Sequence, residues 1–454
     1  MDLTSRLRSI VRPLDRAGAS GSQPLRELTY EPDTGRYEAS INVDRVADVL
    51  GGRVVINSFG RALVVDRRYE SDRFHGTRRV GDCELIDGDT LRLLDPTLTP
   101  RERGGDAGDP DRSECRTLFV DLETTGLSGG AGTVAFLVGV GWFDAGAFQV
   151  RQFLLTSYAS ERALLAAVAE CFDATSLLVT YNGKTFDVPV METRWLFHRM
   201  RLPLESVRHF DMLHPARRLW RTREGATEGD GGCRLATLER VLCDVNRVGD
   251  VPGMDIPGRY FQFLRSGDAR PLEAVLEHNR LDLISLAVVA AHAVELVEHG
   301  SARCRDAAEA LSLGKVYERA GCFDRAIDAY ERAVADRSAP VDVLAEALYR
   351  IGLRRRRDRR YAEAAGVWRR ILELKQGRLG RRSLLLGPLR QFAVEALAIH
   401  REHRERDYEG ARELTLQLLE MEDAGLGVRA DARRHRLARL ERKLARNDDS
   451  HLFA

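Results

Sequence analysis

The sequence lacks the features that mark several classes of protein. Its seven cysteines form no Cys-x-x-Cys pair and show no cysteine–histidine spacing of a zinc site, which argues against a structural zinc domain. Arginines interrupt the apolar residues of the N-terminal stretch MDLTSRLRSIVRPL, so this stretch does not resemble a secretory signal. No apolar run reaches the length of a membrane span. We therefore expect a cytoplasmic protein with free thiols and no membrane partner.

The sequence also lacks an excess of charge of either sign. Its 454 residues carry a net charge of +1, although 31% of them are charged. This balance gives no whole-molecule field that attracts nucleic acid, so any surface that binds nucleic acid has to be a local patch. The length predicts two to four domains of ordinary globular composition.

The first 114 residues contain no chemistry that we can identify. Residues 1–95 predict a small β-rich N-terminal region, in which RVVINSF and ALVVDRRY form a hairpin around Gly60 and DTLRLLD forms a further strand. Residues 96–114 are polar and rich in glycine, proline and charge, which is typical of a linker.

Residues 115–300 predict an α/β domain with a mixed five-stranded sheet and flanking helices. The pattern of apolar runs gives three strands in a meander, followed by helix, strand, helix and strand. The five strands are TLFVDLET, TVAFLVGVGWFD, AFQVRQFLL, SLLVTYNG and SVRHFDML. This order of elements is typical of a ribonuclease H-like fold.

Residues 305–445 predict an all-α domain built from repeats. Three units each contain a helix, a polar turn and a second helix that starts with an aromatic residue followed three positions later by alanine. The anchor pairs are Phe323/Ala326, Tyr361/Ala364 and Tyr408/Ala411. The first unit resembles a tetratricopeptide repeat, and such units stack into a concave surface that we expect to bind a protein partner.

The stretch FVDLETTG places two carboxylates at the end of an apolar strand. Side chains two residues apart in a strand point to one face, so Asp121 and Glu123 would project together. Two adjacent anions repel each other, and a hard divalent cation that prefers carboxylate oxygens would compensate for this repulsion. The alternative is a solvated acidic pair at a strand end, which is common.

Two further motifs carry acidic residues downstream. TYNGKTFD ends in Asp187 at the expected start of a helix, where an ordinary first-turn aspartate would serve equally well. LEHNRLDLISLA places His278 and Asp282 four residues apart, which puts them on one face of a helix. The alternative for this pair is an exposed polar stripe.

The three motifs in this order resemble the DEDD superfamily of 3′–5′ exonucleases, which has a ribonuclease H-like fold. With the tetratricopeptide-like region, the chain resembles the YprB-type bacterial ribonuclease H-like proteins. The resemblance implies that Asp121, Glu123, Asp187 and Asp282 hold two Mg²⁺ or Mn²⁺ ions. It also implies a nucleic-acid substrate, either DNA or RNA, with a single-stranded 3′ end.

His278 is the candidate for the neighbouring base that deprotonates or orients the attacking water, and a purely positional role is the alternative. The spacing departs from the family, since this histidine precedes the last aspartate by four positions, where the histidine branch has five and the tyrosine branch has a tyrosine at four. Asn182, Lys184 and Thr124 are candidates for substrate binding. Asn182 can equally form a turn, and Thr124 can bond to the main chain.

The run RRRRDRR at 354–360 lies between the two helices of the second repeat unit. It could bind phosphates, although a solvated turn is the commoner role of a charge run. Two other functions remain open: a non-catalytic scaffold that carries an inactive ribonuclease H-like fold, and a structure-selective endonuclease that uses the same residues.

Overall fold

A computed structural model describes most of the chain between residues 41 and 451. The described residues are 41–84, 88–98, 116–126, 132–173, 175–204, 207–221, 232–374, 386–421 and 430–451. The predicted linker at 96–114 lies almost wholly outside these ranges. Within them, we find no helix with the length and apolarity needed to cross a membrane.

The described residues contain one mixed sheet of seven strands and a small two-stranded sheet. The small sheet pairs β3 with β4, and the large sheet has the order β1-β2-β7-β6-β5-β8-β9. The strands are β1 Arg53–Asn57, β2 Gly60–Tyr69, β3 Phe74–His75, β4 Arg78–Arg79, β5 Arg116–Thr124, β6 Ala135–Asp144, β7 Ala147–Leu154, β8 Thr175–Thr180 and β9 Arg208–Asp211. Strands β5, β8 and β9 run parallel, and the other neighbours in the large sheet are antiparallel.

The described part of the chain also contains fifteen α-helices, together with several short 3-10 helices. They are α1 Val43–Leu50, α2 Asp89–Leu94, α3 Glu161–Ala169, α4 Asp187–Phe197, α5 Leu213–Trp220, α6 Leu235–Cys243, α7 Ile256–Ser266, α8 Glu273–His299, α9 Ala307–Arg319, α10 Phe323–Ala335, α11 Val341–Arg357, α12 Tyr361–Glu373, α13 Leu386–His400, α14 Tyr408–Met421 and α15 Ala430–His451. A π-helical turn, Arg401–Glu405, follows α13.

The five strands expected for the ribonuclease H-like region are confirmed, as is the N-terminal hairpin of β1 and β2. The hairpin pairs with β7 and so extends the same sheet. The strand predicted at DTLRLLD is wrong, because Asp89–Leu94 is a helix. Leu91 and Leu94 are three residues apart and both fully buried, so this segment buries one helical stripe rather than one strand face.

Strand β5 is buried on both faces, and its alternation decides where the acidic side chains lie. Leu118, Val120 and Leu122 pack into one apolar core, whereas Phe119 packs into the core on the opposite side of the sheet. Because side chains in a strand alternate, Asp121 points to the same side as Phe119. Helix α8 supplies many residues of that second core.

The C-terminal helices pair into hairpins, and the second helix of each of the three predicted units begins at its aromatic anchor, Phe323, Tyr361 or Tyr408. The first hairpins share a core with the sheet. The Tyr317 hydroxyl also donates to the Val297 carbonyl at 2.7 Å. The helical array is therefore packed onto the α/β domain. Its classification as tetratricopeptide repeats stays a prediction.

A close crossing of α11 and α12 gives a stability prediction. A Cβ on Gly352 would lie 2.1 Å from Nε1 of Trp368, which is buried. We expect Gly352→Ala to destabilise the protein by about 1–3 kcal/mol through overpacking, measured as a lower urea midpoint. Gly366→Ala on α12 is the matched control, because a Cβ there meets open space and should stabilise the helix by up to about 1 kcal/mol. Equal effects of the two substitutions would contradict this packing.

Candidate active site

Parallel pairing of β5 with β8 brings the carboxyl ends of these strands to one edge of the sheet. Asp121 and Glu123 lie on β5, and Asp187 is the first residue of α4, after the loop that follows β8. Helix α8 packs against β5 and carries Asp282. The four predicted carboxylates therefore meet at one place, close enough for each of the other three to be repelled by Asp282.

The electrostatics of this cluster are those of crowded anions. Burial raises the pKa of Asp121 well above its usual value, and repulsion from Asp282, Glu123 and Asp187 raises it further. Burial, followed by repulsion from Asp282 and Asp187, likewise raises the pKa of Glu123. For Asp187, burial is again the largest cause, and its pKa is about 7. The cluster therefore crowds carboxylates whose mutual repulsion a bound divalent cation would relieve.

Asn279 holds Asp121 in place. This side chain is fully buried, and its amide nitrogen donates to Asp121 Oδ2 at 2.8 Å and to the Asp121 carbonyl at 3.1 Å. Gln152 Nε2 donates to Asn279 Oδ1 at 2.8 Å, which fixes the amide. Gly139 on β6 makes room for it, because a Cβ there would lie 2.1 Å from Asn279 Oδ1. The sequence analysis missed Asn279, although it directly follows His278.

Asp282 is held by an arginine that the sequence analysis also missed. Arg247 Nη2 donates to Asp282 Oδ1 at 2.6 Å, while its Nε donates to Glu239 Oε1 at 2.6 Å. The arginine side chain is only 7% exposed. Burial opposes its charge, but the bonds to Glu239 and the field of Asp282 outweigh burial and raise the pKa of Arg247. A permanent cation therefore stands beside one predicted metal ligand.

His278 is oriented by a second carboxylate. Its Nδ1 donates to Asp250 Oδ1 at 2.7 Å, and its Nε2 lies 3.5 Å from Asp282 Oδ2. Arg247 Nη1 donates to Asp250 Oδ2 at 3.1 Å, so these four side chains form a closed ring. Burial would raise the pKa of Asp250, but the bonds from His278 and Arg247 lower it. An ionised Asp250 leaves Nε2 as the histidine nitrogen next to the acidic cluster.

Two of the predicted substrate-binding residues lie in the loop between β8 and α4. Asn182 has a φ of 68°, the left-handed conformation that asparagine tolerates in turns, and its side chain accepts a bond from Thr185. Lys184 Nζ lies 2.9 Å from Oδ2 of Asp95, which is buried. Asp211 accepts the main-chain N–H groups of Asn182 and Lys184, and so holds the loop. The loop is ordered by these contacts, and its role in substrate binding stays a prediction.

Thr124 is buried at the end of β5, and its hydroxyl donates to the Gly126 carbonyl at 2.9 Å. This bond satisfies the main chain of the turn that follows β5. The contact of Thr124 with substrate therefore stays a prediction.

The donor set suits a divalent cation in chemistry and charge, since it consists of carboxylate oxygens that repel each other. Among the described residues, however, no three acidic, histidine or cysteine side chains are arranged so that they could hold a metal ion as they stand. Asp282 is engaged by Arg247, and Asp121 by Asn279. A cation that binds here would therefore compete with Arg247 for Asp282.

Comparison with known proteins gives two matches. A family model described as RNase_H superfamily matches residues 118–294, the segment that contains all four carboxylates. Over 328 residues, the chain is 32% identical to a Bacillus subtilis (strain 168) protein named Uncharacterized protein YprB. This alignment covers 72% of the chain and 74% of that protein.

Proposed function

Since this chain belongs to the same family as YprB, within the ribonuclease H superfamily, we propose that it is a metal-dependent nuclease that hydrolyses phosphodiester bonds. The observation that carries the proposal is the convergence of Asp121, Glu123, Asp187 and Asp282 at one sheet edge, with the pKa of the first three raised by burial and mutual repulsion. Such a cluster is suited to binding Mg²⁺ or Mn²⁺.

In this proposal, the four carboxylates would hold two divalent ions, and such a pair would supply stabilisation of the charge on the attacking and leaving oxygens of the phosphodiester. Asn279 fixes Asp121, and Arg247 fixes Asp282 until the site is loaded. His278 Nε2 takes a proton from the attacking water, while Asp250 orients the ring through Nδ1. The resemblance to DEDD enzymes favours 3′–5′ exonuclease action, and the same residues also serve an endonuclease.

One observation favours a non-catalytic scaffold as the second candidate. Arg247 already neutralises Asp282, and the described carboxylates are not arranged to hold an ion as they stand. In a scaffold, this ion pair would be permanent and the helical array would carry the function by binding a protein partner. The two candidates differ in whether metal displaces the Arg247 contact.

The function is tested with single-stranded DNA and RNA that carry a label at the 5′ end, incubated with Mg²⁺, Mn²⁺ or EDTA. A metal-dependent ladder that shortens from the 3′ end would support the exonuclease and identify its nucleic acid. Cleavage of a circular single strand would show endonuclease action instead. Degradation of none of these substrates under any metal condition would favour the scaffold.

Metal binding is also measurable without turnover. A ligand that binds only the folded state stabilises it by about 2.7 kcal/mol at 100 times its Kd. We therefore expect Mn²⁺ to raise the melting temperature of the wild-type protein, and expect a much smaller rise for Glu123→Gln, which removes one predicted ligand. Equal melting temperatures of the wild-type protein in Mn²⁺ and in EDTA would contradict the metal centre.

A further inference from the structure

The turns inside the three repeat hairpins share one backbone position, two residues before the aromatic anchor. In the first hairpin this position is Gly321, with a φ of 78°. In the second it is Arg359, with a φ of 62°, and in the third it is Arg406, with a φ of 57°. All three residues therefore adopt the left-handed conformation that commonly ends a helix.

The hydrogen bonds confirm that the first two turns are equivalent. The N–H of Gly321 bonds to the carbonyl three residues earlier, and the next N–H bonds to the carbonyl of Tyr317, five residues before it. Arg359 and its successor Arg360 make the same two bonds. A Cβ built on Gly321 meets nothing within 4 Å, so a side chain at this position extends into open space.

Arginine is a costly residue at this position. The left-handed conformation brings Cβ close to the following carbonyl oxygen, and glycine avoids this contact. The first hairpin has glycine at this position, which avoids the strain, whereas the second and third hairpins both have arginine. Backbone strain of this kind is concentrated at functional positions. No packing contact explains the choice, because the side chains of Arg359 and Arg406 are exposed.

The charge distribution along the chain fits a role for these arginines. Residues 350–454 contain 26 Lys and Arg against 16 Asp and Glu, a net charge of +10, so the preceding 349 residues carry −9. The net charge of +1 for the whole chain therefore conceals two oppositely charged parts. A basic segment of this kind is an electrostatic signature of nucleic-acid binding.

Several arginines in these turns and in the last turn of α11 can offer their charge to a ligand. In the part of the chain that the structure describes, the guanidinium groups of Arg357, Arg359 and Arg406 make no hydrogen bond or ion pair, whereas Arg354, Arg355 and Arg360 pair with acidic residues. The two turns are neighbours, because the Arg404 guanidinium lies over the Tyr361 ring, 3.9 Å from its centroid.

We propose that Arg357, Arg359, Arg404 and Arg406, here called the arginine edge, bind the sugar–phosphate backbone of single-stranded nucleic acid. The guanidinium group suits phosphate oxygens, and the helical array is packed onto the α/β domain through a shared core. In this proposal, the arginine edge binds a part of the strand that lies outside the carboxylate site, where cleavage takes place. This inference rests on the proposed nuclease function, whose substrate class it shares.

The backbone geometry provides a test that separates binding from folding. Arg359→Gly with Arg406→Gly installs the residue that the first hairpin uses, so the double variant should melt no lower than the wild-type protein. Binding of a labelled single strand of about 30 nucleotides is measured by fluorescence anisotropy in EDTA, which prevents cleavage. Each lost phosphate contact lowers the salt dependence of binding by about 0.7 in log–log slope for single strands.

We expect the double variant to lose about 1.4 in slope and to bind about 25-fold more weakly at about 0.1 M salt. The matched control is Arg45→Gln with Arg240→Gln, which removes the same charge from two exposed helical positions elsewhere. It should retain the wild-type slope. Arg359→Lys with Arg406→Lys should retain most of the binding, because the charge remains.

Two results would overturn the inference, and they differ in what they say about the function. If the wild-type protein cleaves nucleic acid and the glycine variant binds with unchanged slope, the arginine edge serves another partner, such as an acidic protein, and the nuclease function stands. If the wild-type protein neither binds nor cleaves nucleic acid, the proposed function fails together with the inference.

Discussion

Asp121→Asn is expected to lower the rate of metal-dependent cleavage by about a thousandfold or more while the protein stays folded. The substitution keeps the shape of the side chain and the main-chain contact of Asn279, but it removes a charged ligand from the centre of the cluster. Loss of one group that stabilises transition-state charge costs about 10²–10³ in rate, and loss of a metal ligand also weakens metal binding. The measurement is the initial rate of cleavage at saturating Mn²⁺.

The same variant should be more stable than the wild-type protein in EDTA. Asp121 is a partly buried carboxylate that three others repel, so a neutral amide removes an unfavourable interaction from the folded state. Asp144→Asn is the matched control, because that carboxylate is exposed at the end of β6, and both rate and stability should be unchanged. A rate for Asp121→Asn within tenfold of wild type would refute the site.

Glu161→Ala is expected to destabilise the protein by about 3–5 kcal/mol, because it removes one partner of a buried ion pair. Glu161 starts α3 and accepts two bonds from Arg194 of α4, at 2.6 Å and 2.5 Å, and one from His198 at 2.8 Å. The Glu161 and Arg194 side chains are only 4% and 5% exposed. The substitution removes the carboxylate that accepts both bonds from the buried Arg194 guanidinium, which should lower the urea midpoint strongly.

The control for this prediction is an ion pair at the surface. Glu70 pairs with Arg68 at 2.9 Å, and both side chains are largely exposed, so Glu70→Ala should cost less than about 1 kcal/mol. The double variant Glu161→Leu with Arg194→Leu should lose less stability than Glu161→Ala, since it leaves no charge without its partner. A loss below about 1 kcal/mol for Glu161→Ala would show that the pair does not join the two helices.

The sequence predicted those parts of the fold that have a local signal. The strands of the α/β domain could be predicted because each is an apolar run bounded by turn residues. The helical hairpins could be predicted because the second helix of each starts with an aromatic anchor. Helix α2 was missed because its buried stripe consists of two leucines within six residues, too short to distinguish a helix from a strand.

The residues of the candidate site also divide into those that a local motif predicts and those that it does not. Asp121, Glu123, Asp187 and Asp282 belong to short motifs, so they could be named from the sequence. The side chains that hold them could not, because their contacts join distant parts of the chain. Arg247 is 35 residues from Asp282, and Asn279 is 158 residues from Asp121. The local sequence around Arg247 or Asn279 does not indicate which distant carboxylate the side chain will contact.

The backbone conformation of the arginine edge was equally hidden. The sequence predicts a turn between two helices for the run at 354–360, but Arg354–Arg357 form the last turn of α11 and only residues 358–360 connect it to α12. Several arginines of the run pair with nearby acidic residues. The sequence alone does not reveal that Arg359 takes the left-handed position that Gly321 occupies in the first hairpin. That equivalence depends on the geometry of the helix ends.

The most direct test of the central claim is a crystal of the wild-type protein soaked in Mn²⁺, with anomalous diffraction measured to locate the ions. The account predicts Mn²⁺ peaks between Asp121, Glu123, Asp187 and Asp282, with the Asp282 carboxylate released from Arg247. An Arg247–Asp282 ion pair that persists in a solvent-accessible site without an anomalous peak would contradict the metal centre, and with it the proposed nuclease.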